Sequence, residues 1–266
     1  MRAMVSLAGS RPGGEPPDVP SKSALSRYRA AVEAQLAAAF ESQTATIDAV
    51  ADAVAAALAA RRWIWFAGTG HSHLLALEMF YRAGGLVRAV PILDEELMLH
   101  VSASRSTEHE RESGRAARLL ARDGVGAGDV LFVISNSGRN AVPVEFALEG
   151  RRLGARVVAL TNLRHSNAHA SRHPSGKRLA EVADLVLDNQ GIEGDAVVPV
   201  GAGGELRVGA TSTVVGAALL EAIVAEAVSR AMAAGVDVEV YRSSNGGGEA
   251  VNRRYLAEYV GKIPRL

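Results

Sequence analysis

Apolar residues recur at helical spacing between Ala24 and Ala60. Val32, Leu36, Ala39 and Phe40 form one set, and Ile47, Val50, Val54 and Leu58 form the next. The stretch contains neither Gly nor Pro, so it predicts two helices, or one long bent helix, ahead of the core. Beyond it, short apolar runs alternate with helical patterns. Trp63–Ala67, Val87–Leu93, Val130–Ile134, Arg156–Leu160 and Leu185–Leu187 read as five strands. Leu74–Ala83, Ser113–Asp123, Ala141–Leu153 and Thr211–Ala234 read as helices, and Gly84, Gly154 and Gly235 stop three of them. A short helical stretch is expected after Leu93 through His100, and a last helix over Glu249–Val260. Residues 188–209 carry Glu193, Asp195 and Glu205 without a familiar ligand spacing and predict a mobile surface excursion.

Strands separated by helices of this length imply right-handed βαβ crossovers. The expected fold is therefore α/β, a parallel five-stranded sheet sandwiched by helices, with the N-terminal helices appended. Residues 9–23 (GSRPGGEPPDVPSKS) cannot bury enough apolar surface to order themselves. The expected organisation is a flexible tail over 1–23 followed by one domain over 24–262.

Composition narrows the chemistry. Aromatics make up only 5% of the 266 residues, so the core has to be built from Ala, Val and Leu. Lys plus Arg equals Asp plus Glu at 29 each, which removes any overall basic field for nucleic acid or an acidic membrane surface. Any anionic ligand must then be held by a local site. The absence of cysteine excludes disulfides, thiolate catalysis and cysteine-ligated metals. Without a signal-like apolar region at the N-terminus or an uninterrupted spanning run, the expected location is the cytoplasm.

Two polar clusters follow strands directly, where ligands of open parallel sheets bind. In Phe132-Val133-Ile134-Ser135-Asn136-Ser137-Gly138-Arg139-Asn140 a buried strand runs into small hydroxyl and amide side chains and then a helix. Free main-chain N–H groups and hydroxyls there suit an anion, and Gly138 permits a tight turn. One helix cap would account for a single Ser or Asn, but not for three polar residues and a glycine in succession. The second cluster is Gly68-Thr69-Gly70-His71-Ser72-His73. It opens like a dinucleotide fingerprint, but His73 stands where the third glycine is needed. Ser72 and the histidines instead offer donors for sugar hydroxyls.

The Gly-Thr-Gly-x-Ser turn and the Ser-x-Ser-Gly turn together resemble the two ligand loops of sugar isomerase (SIS) domains. The runs GTGHSHLLALEMFYRAGG, SNSGRNAVPVEFAL, SRHPSGKRL and GATSTVVGAALLEA resemble a phosphoheptose-isomerase-like subgroup of that family, over about residues 25–262. The resemblance implies a flavodoxin-like sheet and a phosphorylated sugar as ligand. Ser135, Asn136, Ser137 and Asn140 would take the phosphate, with Thr69, Gly70, Ser72, His73 and Ser212 around the sugar. Glu78 matches the glutamate of SIS isomerases on this helix. Glu96-Leu97-Met98-Leu99-His100 is similar, with one extra residue, to a segment whose histidine assists ring opening. Glu78, Glu96 and His100 are thus the expected catalytic residues.

An acid–base aldose–ketose isomerase is the first expectation. A non-catalytic sugar-phosphate sensor and a phosphosugar lyase or etherase are the alternatives. His165, His169 and His173 are spaced by four and would share one face of a continuous helix, but Pro174 and the Ser/Asn-rich surroundings predict a loop. No metal and no other cofactor is expected, with a metal on His71 and His73, as in some phosphoheptose isomerases, kept as the secondary alternative. The long apolar helices over 24–60 and 211–234 exceed what one domain face covers, which predicts a homodimer or a larger homo-oligomer.

Overall fold

The computed structural model describes residues 23–201 and 203–266; of the expected tail over 1–23, all but Ser23 lies outside the described residues. Ser23 caps the first helix, its hydroxyl accepting from the Ser26 N–H at 3.2 Å. α1 (Ala24–Glu41) and α2 (Thr44–Ala59) are separate helices, as the break in apolar periodicity near Gln43 allows. β1 (Ile64–Gly68), α3 (His73–Glu78) and β2 (Ala89–Ile92) follow, then α4 (Leu99–His109) and α5 (Arg115–Asp123). The sequence continues through β3 (Val130–Ile134), α6 (Ala141–Arg152), β4 (Arg156–Thr161), α7 (Leu163–Asn167) and β5 (Leu185–Asp188). β6 (Ala196–Val200), β7 (Leu206–Ala210), α8 (Ser212–Ala233) and α9 (Glu249–Tyr259) complete the described fold.

The five main strands are all parallel, in the order β2-β1-β3-β4-β5. This is the flavodoxin-like order expected, and each strand face is buried by a layer of helices. On one side Ile64, Phe66, Phe132, Val158 and Leu160 pack with α2, α3 and α8. Strand alternation sends Trp65, Leu131, Val133, Val157 and Ala159 to the other side, with α5, α6 and α9. Phe66 and Phe132, neighbours on β1 and β3, stack with centroids 4.9 Å apart. α8 is long and apolar enough to cross a membrane by composition alone, but its Val215, Leu219, Leu220, Ile223 and Ala227 are fully inside the core.

Three sequence readings change. Residues 188–209 are not a plain excursion: β6 and β7 pair antiparallel, and the hairpin docks on α1. Tyr28 donates its hydroxyl to the Ala210 carbonyl at 2.9 Å, and Arg27 reaches the Pro199 carbonyl at 3.0 Å. Its alternation of apolar residues was hidden among glycines and charges. α3 stops at Glu78 instead of Ala83, because Tyr81 takes a left-handed conformation (φ 47°) in the turn that follows. The stretch through His100 is a 3₁₀ turn over Glu95–Leu97, and α4 then runs on to His109 through polar residues that carry little apolar period.

Candidate functional site

β1 and β3 lie side by side, and the chain leaves β1 for β2 on one flank and reaches β4 from β3 on the other. Strand order reverses between them, so the loops after β1 and β3 open a crevice at the carboxyl edge of the sheet. The register pairs Gly68 with Ile134, which brings the two polar clusters level with each other. Gly68 is needed at the first: a Cβ there would lie 2.5 Å from the Ser72 carbonyl oxygen. A cleft of about 230 Å³ sits at this edge, lined by His71, Ser72, Asn136, Asn189, Asp195 and Ser212 among others.

The β3 loop is tightly built. The Ser135 hydroxyl is buried and accepts from the Gly138 N–H at 3.1 Å. Asn136 accepts from the Asn189 amide at 2.9 Å and faces the cleft. Ser137 is half-buried. Gly138 has φ 58°, a left-handed backbone turn. The helix start supplies fewer free donors than its sequence promised. The Val142 N–H is taken by the Glu110 carbonyl at 3.1 Å, and Pro143, in the first turn of α6, has none. The N–H groups of Asn136, Ser137, Arg139, Asn140 and Ala141 have no protein acceptor among the described residues. The unspent donors therefore belong mainly to the loop.

Asn140 caps α6 but its amide is committed at both ends: it donates to Glu110 and accepts from Arg172 at 2.9 Å. The same Glu110 accepts from the Thr69 hydroxyl at 2.7 Å. One carboxyl, set at the turn after α4, thus links the β1 and β3 loops. Burial pushes it above the ordinary carboxylate range, against the Thr69 hydroxyl bond and the charges of Arg111 and Arg172. Glu110 was missed from sequence because it stands among Glu108, Arg111 and Glu112 and reads as one charge on a solvated helix end.

The other expected residues are dispersed. Gly70 turns the β1 loop with φ 55°, and its carbonyl meets Nδ1 of His73, which is buried. The His100 ring lies 5.8 Å from the His73 ring, centroid to centroid, at the exposed start of α4. Glu78 is bound by Arg82, whose guanidinium also meets Glu221 of α8 at 2.9 Å. Glu96 is exposed and takes a hydrogen bond from Arg115, whose bond and charge hold its carboxyl below the ordinary range. None of Glu78, Glu96 and His100 is among the residues lining the cleft.

Asp195 was also overlooked as a site residue. It adopts φ 66° and caps α8, accepting from the Ser212 N–H at 2.9 Å, the Ser212 hydroxyl at 2.6 Å and the Thr211 N–H at 3.1 Å. The Ser212 side chain thus reaches the cleft wall already engaged. Asn189 and Asp188 are pinned from below by the buried Gln35 and Gln43 of the N-terminal helices. Gln35 donates to the Asn189 carbonyl at 2.7 Å, and Gln43 accepts from the Asp188 N–H at 2.6 Å. Asp195→Ala should cost about 1–2 kcal/mol, the upper range for a lost cap. That corresponds to a fall of about 2–8 °C in Tm, measurable by calorimetric melting.

Comparison with known proteins agrees with this geometry. The SIS domain family model matches residues 27–162, half of the chain. The chain belongs to the SIS-domain family. Among its relatives, the UPF0309 protein of Geobacillus thermodenitrificans is 44% identical over 200 residues, 75% of this chain and 80% of that protein. The UPF0309 protein of Brucella canis is 41% identical over 242 residues, 90% of this chain and 98% of its own. Phosphoheptose isomerase from Neisseria gonorrhoeae shares the SIS fold with TM-score 0.50 and 19% identity, over 77% of this chain and 97% of that one.

Proposed function

We propose that this SIS-domain protein binds a phosphorylated sugar in the cleft between the β1 and β3 loops and isomerises it by acid–base chemistry. The observation that carries the reading is the convergence of the two loops, with unspent amides on one and hydroxyls on both, joined by a single partly buried carboxyl. Phosphate on the Ser135–Asn140 loop would fix the sugar's distance and rotation, which is what makes a weak carboxylate base effective. An aldose–ketose interconversion moves one proton between adjacent carbons and opens the ring. Glu110 lies outside the residues that line the cleft, as Glu78, Glu96 and His100 do, but it alone touches both loops, through Thr69 and Asn140, and is our candidate for the proton. His100, beside His73, is the candidate for ring opening. Glu78 and Glu96 are each engaged by an arginine, and we assign them support of α3 and of the turn before α4. The name of the Neisseria relative makes a seven-carbon sugar phosphate a natural first substrate to test.

The test is turnover of a panel of aldose and ketose 6-phosphates and of sedoheptulose 7-phosphate. Conversion of at least one member, absent for the unphosphorylated sugars, is expected. Saturable binding without conversion of any member would replace the isomerase by a sensor.

We also propose that the molecule is a homodimer through the face of α3 and α8. Leu74, Leu77, Tyr81 and Val214, in or next to these helices, are each 39–48% exposed. Light scattering at micromolar concentration should give twice the 27.8 kDa chain mass. Leu77→Asp should shift it to the monomer, and a monomeric wild type would contradict the assignment.

A further inference from the structure

We propose that His165, His169 and Glu193 form a site for a transition-metal dication beside the cleft. His165 lies in α7 and His169 just beyond it, so their spacing of four brings the rings to one side. The rings meet edge to face, with centroids 5.4 Å apart. Glu193 arrives from the segment between β5 and β6, with its Oε1 3.1 Å from Nε2 of His169. One ligating atom from each of the three lies within 4.8 Å of the other two.

Spacing by four in the sequence suggested His173 as the third member, but the chain turns away there. His173 is held by Ser175 at 2.7 Å and points toward Glu145 at 3.9 Å. The carboxylate that takes its place is 28 residues beyond His165, which no local pattern would reveal.

The donor set selects the ion. Two imidazoles and one carboxylate are the ligands of three-residue zinc sites that keep a fourth position for water. Imidazole nitrogen favours Zn²⁺, Co²⁺ or Ni²⁺ over the oxygen-seeking Mg²⁺ and Ca²⁺. Zn–N and Zn–O bonds of about 2.0–2.2 Å place tetrahedral donors roughly 3.4 Å apart, so side-chain rotation has to close at most about 1.5 Å. Among the described residues two contacts occupy these ligand atoms: the His169–Glu193 pair itself, and the Gly194 N–H 3.3 Å from Nδ1 of His165.

The position gives the ion a structural consequence. Asn162 caps α7, accepting from the His165 N–H at 2.9 Å, and its amide donates to the Ile192 carbonyl at 3.0 Å. Two residues after Glu193, Asp195 caps α8 and lines the cleft. An ion on the three side chains would therefore tie α7 to the segment that forms one cleft wall. The inference stands independently of whether the cleft turns over a sugar.

The test uses the full chain without a histidine tag, stripped with chelator and titrated with Zn²⁺, Co²⁺ and Mg²⁺. Calorimetry should show about one Zn²⁺ per chain, and Co²⁺ should give the visible absorption of a low-coordinate site. His169→Ala and Glu193→Gln should each weaken binding at least about tenfold, the low end of what even supporting residues contribute to metal affinity. His173→Ala should leave it unchanged. Far-UV dichroism of each variant checks that it is folded. The proposal is overturned if Zn²⁺ and Co²⁺ do not bind the wild type at micromolar levels, if folded His169→Ala and Glu193→Gln bind as wild type does, or if Mg²⁺ binds as tightly as Zn²⁺.

Discussion

Gly138→Ala should abolish sugar-phosphate binding and destabilise the protein at the same time. The added Cβ would lie 2.9 Å from the Thr161 hydroxyl oxygen and 3.2 Å from that of Ser166. Both residues are at most 1% exposed, so neither has space to retreat. The backbone is left-handed at this residue, φ 58°, which adds a penalty for any side chain. Together, strain and overpacking should cost about 2–4 kcal/mol in urea unfolding. The loop would relieve the clash by moving, and a displacement of about 1 Å at a positioned group is enough to lose roughly two orders of magnitude. Turnover should fall about 100-fold by that argument, and affinity should fall with it as the loop donors leave the phosphate. Gly235→Ala is the control: φ is 81° there too, but nothing lies within 4 Å of the new atom. It should lose only about 1–2 kcal/mol and keep full affinity. Equal behaviour of the two variants would show that crowding at the β3 loop is irrelevant.

Glu110→Gln should reduce kcat by about 10²–10⁴-fold while leaving phosphate affinity nearly unchanged, the size expected for loss of a general acid–base group. Glutamine keeps the shape: its carbonyl oxygen can accept from the Asn140 amide while its own amide donates to the Thr69 hydroxyl, so the loops stay joined. A purely structural Glu110 would instead lower stability and affinity together without a selective loss of kcat. The same substitution has a pH signature. Burial raises the folded-state pKa above the unfolded value, so the folded protein holds this proton more tightly. The resulting contribution is fully present below the ordinary carboxylate pKa and is lost as pH rises through the raised one. Wild type should therefore lose stability relative to Glu110→Gln across that window, measured by urea unfolding at successive pH values. A constant difference would mean that the Glu110 carboxyl is not perturbed.

The fold was legible where burial is continuous. Val130–Ile134 runs as five apolar residues with no ambiguity, and its strand has those very ends. Thr211–Ala234 and Glu249–Val260 each differ by about a residue from the helices observed. Reading failed where the determinants are polar or distant. The β6–β7 hairpin is half exposed, with Leu206 and Val208 in solvent, so it lacks the apolar face that marks a strand. That the β1 and β3 loops lie side by side could be read because both follow apolar strands directly and are built of small polar residues. What joins them could not. Glu110 meets Thr69 across 41 residues and Asn140 across 30, and Asn136 meets Asn189 across 53. Gln35 in α1 and Gln43 in the turn before α2 carry no sequence mark of their roles, because a buried glutamine in an alanine-rich stretch is recognisable only once its partner strand is in place.

The most direct measurement is isothermal titration of the wild type and of Ser137→Ala with sedoheptulose 7-phosphate and with 6-phosphorylated hexoses, beside their unphosphorylated counterparts. If main-chain amides and small hydroxyls of the β3 loop hold the phosphate, at least one phosphosugar should bind saturably. The matching free sugar should give no heat, and Ser137→Ala should weaken the phosphosugar by roughly the 1.5–3 kcal/mol of a hydrogen bond to a charged group. Absence of binding by every phosphosugar, or equal affinity in Ser137→Ala, would contradict it.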